Sequence, residues 1–334
     1  MIESSDRPLR FDVHVHLAGV GTQGSGCWTS PAFTRRPSFV CLRLLLGISD
    51  RQLETTIDQD WVAMISSLTA ESNLDYAVVL GFDGVYDAAG QLDQSRSQLI
   101  VPSAWVFESC ERYGNLLPAP SINPYRHDAL DLLEEAGARG AVLIKWLPIV
   151  QAFDPSSARS RPFLRRAAEL GIPLLIHAGT GEVTFKTIDP TVGSLRGLIP
   201  ALEMGITIVV AHTAAPVHYS RDPSELPLLR ELLHRYPNLW VDNSGLANPS
   251  RFLHLSRFAD DGFIGSRTLH GSDFPIISNA FYYPHRLTLR QMRQVEGEKN
   301  RLEREVLLKR AMRFGEETFT RAGGVLSNLD RWVS

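Results

Sequence analysis

Apolar segments of strand length alternate with amphipathic segments of helix length along this 334-residue chain, and this rhythm narrows the possible folds more than any other feature. From residue 116 onward, successive predicted strands begin about thirty residues apart, which is the length of one βαβ unit. Several of them are short and continuously apolar, as parallel strands buried on both faces are. The eight predicted strands cover residues 10–17, 75–81, 116–122, 141–147, 173–178, 206–212, 239–243 and 268–273.

Eight β/α units predict an α/β fold of the (β/α)8 TIM-barrel type, with an open doubly wound sheet as the alternative. No low-complexity linker interrupts the chain, so residues 1–334 are expected to form a single domain. Residues 18–72 are an insertion after the first strand, with a helix predicted from Ser49, as N-cap, to residue 68. This insertion would lie over the active end of a barrel, and the charged stretch 296–320 predicts extra C-terminal helices.

The composition is that of an ordinary globular protein and excludes several classes of partner. A net charge of −3 and the lack of a basic run argue against nucleic acid and against a membrane surface. Three scattered cysteines and a polar N-terminus without signal-peptide features predict free thiols and a cytoplasmic location. The expected partner is a small-molecule substrate, and a homo-oligomer stays open.

Two histidines, His14 and His16, occupy alternate positions of the first predicted strand. Strict alternation would place both imidazoles on one face of the strand and Val13, Val15 and Leu17 on the other. Neutral imidazole is the commonest protein ligand of zinc and similar ions. The same pattern is equally typical of histidines that are satisfied by hydrogen bonds on a polar sheet face, so the pair alone does not decide between the two.

Polar residues also interrupt the apolar runs of four later strands near their carboxyl ends, where a barrel carries its chemistry. They are Lys145 in strand four, His177 in strand five, His212 in strand six and Asp273 in strand eight. A buried charge is costly unless it is paired or binds a metal ion. One such residue has a ready structural explanation. Together with the two histidines of strand one, however, these residues predict a functional site at one barrel mouth.

This order of residues resembles the amidohydrolase superfamily. The segments 12–16 and 271–275 resemble its amidohydrolase-related branch, which also contains decarboxylases and lactonases. The resemblance extends from residue 11 to about residue 323. It implies that His14, His16 and Asp273 hold one divalent ion and that His177 is a further ligand.

The resemblance leaves open two alternative roles for each of two residues, His212 and Lys145. His212 would either bind a second ion or act as a proton donor behind the ligands. Lys145 would either be carboxylated and bridge two ions or remain an ordinary lysine that contacts substrate. The nitrogen-rich ligand set favours zinc, with manganese as the alternative. In the implied mechanism the ion activates water, Asp273 accepts the proton and passes it to the leaving group, and His212 or the ion stabilises the oxyanion.

Five further residues are candidates for contact with the substrate. They are Trp28, Phe82, Asp83, Asn123 and Trp146. For the first of these a solvated loop is the simpler explanation, and for the other four a structural role explains the position equally well. His270 lies three positions before Asp273 and would face away from it, which favours a structural role.

The sequence thus predicts a cytosolic metal-dependent hydrolase that cleaves an amide, ester or lactone bond of a small organic molecule. A lyase, either a decarboxylase or a hydratase acting on a small carboxylic acid, would use the same ligands and is the first alternative. A barrel that binds a ligand or a metal without catalysis is the second alternative, and the intact Asp273 argues against it.

Overall fold

The computed structural model describes residues 7–179, 181–218 and 224–333 and contains eight parallel strands separated by helical segments. In two sheets of three and five strands, each strand pairs with its neighbours in chain order. The strands are β1 (Phe11–His16), β2 (Tyr76–Leu80), β3 (Leu116–Ala119), β4 (Ile144–Trp146), β5 (Leu174–Ile176), β6 (Ile208–Val210), β7 (Leu239–Asp242) and β8 (Thr268–Leu269). A separate antiparallel pair joins Trp28–Thr29 to Leu99–Ile100.

Backbone hydrogen bonds join the two sheets at both of their edges. Between β3 and β4, the Lys145 N–H donates to the Pro120 carbonyl over 2.9 Å. After β8, the Asp273 N–H donates to the His14 carbonyl over 2.9 Å, which ties the last strand to the first. The strands therefore form a ring, and the predicted (β/α)8 TIM barrel is confirmed.

The helices surround the barrel and also build the insertion and the C-terminal segment. They are α1 (Pro31–Thr34), α2 (Pro37–Leu45), α3 (Asp50–Thr55), α4 (Ile57–Ala70), α5 (Ser103–Arg112), α6 (Ala129–Ala138), α7 (Pro148–Gln151), α8 (Arg161–Leu170), α9 (Ile199–Glu203), α10 (Leu226–Arg235), α11 (Phe252–Ala259), α12 (Gly262–Ser266), α13 (Leu289–Gly297), α14 (Arg301–Ala311) and α15 (Glu317–Thr320). None of the helices within the described ranges is both long and apolar enough to cross a membrane.

The insertion differs from its prediction in one respect. Ser49 does cap a helix, since its hydroxyl accepts from the Gln52 N–H while the Gln52 side chain accepts from the Ser49 N–H. The helix that begins there ends at Thr55, because Thr56 leaves helical geometry with φ −134°. The prediction of a single helix from Ser49 to residue 68 is therefore wrong, because two helices, α3 and α4, form this stretch.

Strand β1 departs from strict alternation. Its register with β2 shifts between Asp12 and Val15. As a result, Val13 packs inside the barrel, whereas Val15 and Leu17 pack against the surrounding helices. The prediction that these three apolar side chains share one face is wrong, because the irregular register turns the strand between them.

Apolar side chains from alternate strand positions fill the barrel interior and form a solid support beneath its mouth. This packing includes Val78, Leu80, Leu117, Ala119, Leu143, Leu175, Val209 and Leu269. On β4, Lys145 lies two positions beyond Leu143, and on β5, His177 lies two positions beyond Leu175. Period-two geometry therefore carries both polar side chains to the same inward face, one layer nearer the carboxyl end.

Candidate active site

One cavity of about 590 Å³ lies at the carboxyl end of the barrel, where the sequence predicts chemistry. All six strand-end residues line it: His14, His16, Lys145, His177, His212 and Asp273. We call these six residues the floor. Their convergence follows from the ring of parallel strands, whose carboxyl ends meet at one mouth.

Three donor atoms meet at the centre of the floor. His14 Nε2 lies 3.2 Å from His16 Nε2 and 3.4 Å from Asp273 Oδ1, and His16 Nε2 lies 3.3 Å from the same oxygen. His14 is fully buried and Asp273 nearly so. This part of the site therefore brings together two imidazoles and one carboxylate, as the sequence predicts.

Asp242, at the end of β7, fixes the orientation of His14. Its Oδ2 lies 2.8 Å from His14 Nδ1. Because an ionised carboxylate only accepts hydrogen bonds, Nδ1 carries the proton and Nε2 presents its lone pair to Asp273 and His16. The other carboxylate oxygen accepts from the His212 N–H over 2.8 Å and from the Ser244 N–H over 3.0 Å.

Asp273 itself has an unusual backbone conformation. Its φ of +64° lies in the left-handed region, which costs an ordinary residue about 1–3 kcal/mol unless the surroundings hold it there. Its N–H donates to the His14 carbonyl, and Asp12 Oδ1 accepts from the Ser272 N–H over 2.9 Å. Gly245 leaves the room that the carboxylate needs, since a Cβ there would lie 2.5 Å from Asp273 Oδ2.

His177 and His212 flank this centre, with ring centroids 5.2 Å apart. His177 Nε2 is buried and has no hydrogen-bond partner among the described residues, while its Nδ1 lies 3.8 Å from Glu182 Oε2. His212 lies in a turn after β6, with φ +54°. Its Nδ1 donates to the Ser244 carbonyl over 2.9 Å, so its Nε2 is the nitrogen with the lone pair.

The buried imidazoles of the floor are neutral at pH 7. Burial holds the pKa of His14, His177 and His212 well below the usual range. The positive charge of Lys145 lowers the pKa of His14 further. The positive charge of Arg251 likewise lowers the pKa of His177 and of His212. Neutral imidazole is the form that binds metal ions.

Lys145 is almost fully buried beside the donors, with Nζ 3.1 Å from His14 Nε2. Burial lowers the pKa of its ammonium to about 8, and the carboxylates of Asp242 and Asp273 partly oppose that effect. The side chain is therefore held at the floor rather than directed to solvent, and a neutral amine is accessible to it near physiological pH.

Above the floor, the insertion supplies an apolar wall, as its predicted position over the barrel mouth implies. We call this wall the roof; it consists of Phe33, Phe39, Leu42, Leu45, Leu46, Ile48 and Leu53. Phe33 stacks on Phe185 of the loop after β5, with centroids 5.0 Å apart, and Phe185 stacks on Phe82 at 4.6 Å. Arg36 donates to the Thr184 carbonyl over 2.7 Å. The roof is therefore joined to the barrel at this side.

None of the five tentative substrate-contact residues lines the cavity. Trp28 belongs to the antiparallel pair with Leu99–Ile100, and Phe82 lies behind Phe185. Trp146 is fully buried and donates its indole N–H to the Ile122 carbonyl over 2.7 Å. Each of these three therefore has a packing or hydrogen-bonding role where it stands.

Asp83 and Asn123 belong to a buried network beside the barrel mouth. The Asp83 carboxylate accepts from the Asn123 N–H over 2.8 Å and from Arg126 over 3.2 Å. The Asn123 amide donates to the Gly84 and Gln151 carbonyls. His270 is likewise buried outside the cavity, packed on Phe319, as a structural role requires.

Sequence reasoning missed Asp242, Glu182 and Arg251. Asp242 carries the same signal as Lys145, a polar residue at the carboxyl end of an apolar strand, and could have been found in that way. Glu182 and Arg251 line the cavity from loops, where no periodicity indicates direction. Arg251 donates to the Ala215 carbonyl over 3.0 Å and to the Gly181 carbonyl, so it joins the loops after β5 and β6.

The floor fits a divalent metal ion. Metal–nitrogen bonds of about 2.0–2.1 Å place two tetrahedral donors about 3.3 Å apart. The separations among His14, His16 and Asp273 are 3.2, 3.4 and 3.3 Å. The unpaired Nε2 of His177 is a further neutral donor. Without a bound cation, so many desolvated donors at one point would be costly.

Solved structures similar to this chain share the barrel. A TIM-barrel protein of uncharacterised function from Bordetella bronchiseptica has a TM-score of 0.57 at 17% identity, with 94% of this chain and 99% of that chain covered. A probable 2-pyrone-4,6-dicarboxylic acid hydrolase from Acinetobacter baumannii has a TM-score of 0.52 at 15% identity, with 94% of this chain and 99% of that chain covered. The 5-carboxyvanillate decarboxylase from Sphingomonas paucimobilis has a TM-score of 0.53 at 10% identity, with 98% of this chain and 99% of that chain covered.

At these identities the structural likeness shows a common fold and nothing finer. No curated protein matches the chain. The family model described as amidohydrolase matches residues 12–305, a span that includes the whole floor. The family is one of enzymes, so the expectation of an enzyme is confirmed, and the chain belongs to the amidohydrolase family.

Proposed function

We propose that this protein is a metal-dependent hydrolase that cleaves an amide, ester or lactone bond of a small organic molecule. The observation that carries the proposal is the meeting of His14 Nε2, His16 Nε2 and Asp273 Oδ1 within 3.4 Å at the floor of the cavity. The cavity volume of about 590 Å³ lies within the range typical of small-molecule sites, which supports a small substrate.

Zinc is the ion that we propose, with manganese as the alternative, because the donors are mainly imidazole nitrogens. His14, His16 and Asp273 would hold the ion, and His177 would complete its ligands. A second ion would need an additional anionic ligand, which a carboxylated Lys145 would supply, together with His212. A divalent ion held at the floor supplies Lewis acidity and makes water a competent nucleophile near neutral pH.

The chain's own contribution to the reaction centres on Asp273. Its carboxylate lies within 3.4 Å of both His14 and His16 at the cavity floor, where it can accept a proton from the attacking water and return it to the leaving group. His212 has its Nδ1 proton committed to the Ser244 carbonyl, which supports a role as ligand or proton acceptor over a role as proton donor.

A lyase acting on a small carboxylic acid is the second candidate. It is favoured by two of the cationic side chains that line the same cavity, Lys145 and Arg251, since a substrate carboxylate would be attracted to both. The metal donors serve either reaction. The two candidates differ in what the cations do, because in the lyase they would hold a carboxylate of the substrate.

Metal analysis with a substrate panel tests the proposal. Protein stripped with a chelator and reloaded with zinc or manganese would be assayed on esters, lactones, amides and aromatic carboxylic acids. We expect metal-dependent hydrolysis, which Asp273→Asn strongly reduces. Metal-dependent release of carbon dioxide without hydrolysis would establish the lyase instead. Protein that holds no transition metal, and gains no activity on adding one, would reject both candidates.

A further inference from the structure

We propose that the substrate carries a bulky apolar group, and that this group packs against the roof while the reacting bond lies at the floor. The inference deepens the proposed function, on which it rests for the position of the reacting bond. The apolar pocket itself rests on contacts that do not involve the metal donors.

The first observation is the division of the cavity into a polar end and an apolar end. Most of the titratable groups lie at or beside the floor, whereas the roof contributes phenylalanine, leucine and isoleucine side chains. Cys41 and Arg43 of α2 also border the cavity, and the Arg43 guanidinium is paired with Asp50. Leu147, Val183 and Ile276 continue the apolar lining on the barrel side. A substrate that fills such a cavity must itself be polar at one end and apolar at the other, because an unpaired polar group against the roof would be desolvated without compensation.

The second observation is that α2 is loosely packed against the rest of the protein. None of its residues is buried. Phe39 and Leu42 turn towards the cavity and are only partly covered, and on the opposite side Leu44 is 65% exposed. The apolar inner side of α2 therefore borders open volume rather than packed protein. An apolar ligand there would bury apolar surface that the chain leaves uncovered, which favours its binding.

The third observation is that the wall opposite α2 is firmly positioned. Phe185 is held between Phe82 and Phe33, with nearly parallel rings at 12° to Phe33. Two N–H groups of the same loop, those of Thr184 and Phe185, donate to Glu182 Oε1. Both faces of the Phe185 ring are covered, so it borders the cavity with its edge. A fixed aromatic edge on one side and a thinly supported helix on the other suit an apolar body of ring or chain type.

A series of straight-chain carboxylates tests this inference without knowledge of the natural substrate. Butyrate, hexanoate, octanoate and decanoate would be titrated into the metal-loaded protein by calorimetry. We expect the affinity to rise about three- to fourfold per methylene group, as transfer of a methylene from water to an apolar site predicts. Affinity that does not increase with chain length would overturn the inference.

Variants on the two sides of α2 give the matched comparison. Leu42→Gln should weaken decanoate binding at least tenfold and leave butyrate binding unchanged, and Leu44→Gln on the exposed side should change neither. Phe39→Ala provides a second inner variant if the first does not fold. An equal loss of decanoate affinity in Leu44→Gln and in the inner variant would contradict a specific pocket.

Repeating the titration after removal of the metal separates this inference from the proposed function. A chain-length dependence that persists in the stripped protein would keep the apolar pocket, and if reloading with metal then gave no hydrolysis, the function alone would be rejected. Metal binding and hydrolysis without any chain-length dependence would reject the pocket alone.

Discussion

At the floor of the cavity the chain fixes His14, His212 and Asp273 by second contacts, whereas at the roof it leaves apolar side chains partly uncovered. Asp242 holds the proton-bearing side of His14, and the His14 carbonyl in turn accepts from the Asp273 N–H. Helix α2, in contrast, buries none of its residues. Catalytic groups need precise placement on rigid elements, while a surface that selects substrates tolerates adjustment. The comparison therefore predicts large, all-or-none effects at the floor and small, graded effects at the roof.

Removing an imidazole at the centre should have the largest effect. His14→Ala and His16→Ala should each lose the bound ion and all metal-dependent activity, because imidazole nitrogens supply most of the affinity. Elemental analysis of the purified variants measures this directly. His270→Asn is the matched control, since His270 is as deeply buried as His14 but lies outside the cavity. Loss of metal in the control would mean that general unfolding, rather than ligand loss, explains the result.

Asp273→Asn should separate binding from turnover. The amide keeps an oxygen that can coordinate, but it cannot accept a proton at neutral pH. We expect the variant to retain the ion and to lose about 10²–10⁴-fold in kcat, the usual contribution of general acid–base catalysis. Steady-state kinetics with parallel metal analysis tests this. Near-normal turnover would remove Asp273 from proton transfer.

The expected effect at Lys145 depends on its chemical state, and we expect the carboxylated form. Burial lowers the pKa of its ammonium to about 8, which makes a reactive neutral fraction available near pH 7, and an ammonium next to a bound cation would be repelled. Lys145→Ala should then lose one of two ions, and a short carboxylic acid should partly restore activity. Mass spectrometry and the metal-to-protein ratio after growth with bicarbonate decide the question. One ion per chain with an unmodified lysine would establish the mononuclear alternative.

Asp242→Asn should weaken metal binding at the floor without abolishing it. Substitution of a carboxylate that orients a ligating histidine costs about 10–100-fold in metal affinity. The dissociation constant of the ion, measured by competition with a chelator, gives the result. Asp83→Asn removes an equally buried carboxylate that lies outside the cavity, and it should leave the metal affinity unchanged. Equal losses in the two variants would show that Asp242 acts through stability alone.

The same contrast explains what the sequence could predict. The barrel follows from the spacing of apolar strands, and the floor follows from polar residues at their carboxyl ends, since both features obey strand periodicity. Trp146 shows the limit of a simple reading, because it is adjacent to Lys145 and therefore faces the opposite side. Period two argues against Trp146 as a substrate contact for the same reason that it brings Lys145 to the floor.

Loops and irregular segments could not be predicted in this way. Glu182 and Arg251 reach the cavity from segments without a repeating pattern, so their direction depends on tertiary contacts. Strand β1 presents both histidines to one point although its register shifts, which means that their convergence was predicted from an alternation that the strand does not strictly keep. The ion pair of Asp83 with Arg126 likewise depends on two loops that only the fold brings together.

The smallest expected effect concerns Cys41, which gives the roof a chemical probe that the rest of the chain lacks. Among the three cysteines, Cys41 is exposed and lines the cavity from α2, whereas Cys27 and Cys110 are buried. Burial raises the pKa of Cys27 to about 12 and that of Cys110 well above its usual value, so both thiols remain protonated and unreactive. A thiol reagent should therefore label one cysteine per chain without releasing the ion.

The labelling rate then reports on the roof. Decanoate should slow the reaction at Cys41, because an apolar chain packed under α2 covers the inner side of the helix, while butyrate should leave the rate unchanged. Peptide mapping of the labelled protein identifies the site, and metal analysis of the same sample shows whether the floor is disturbed. Release of the ion on labelling, or equal protection by butyrate and decanoate, would mean that roof and floor act as one rigid unit rather than as the two separate parts described above.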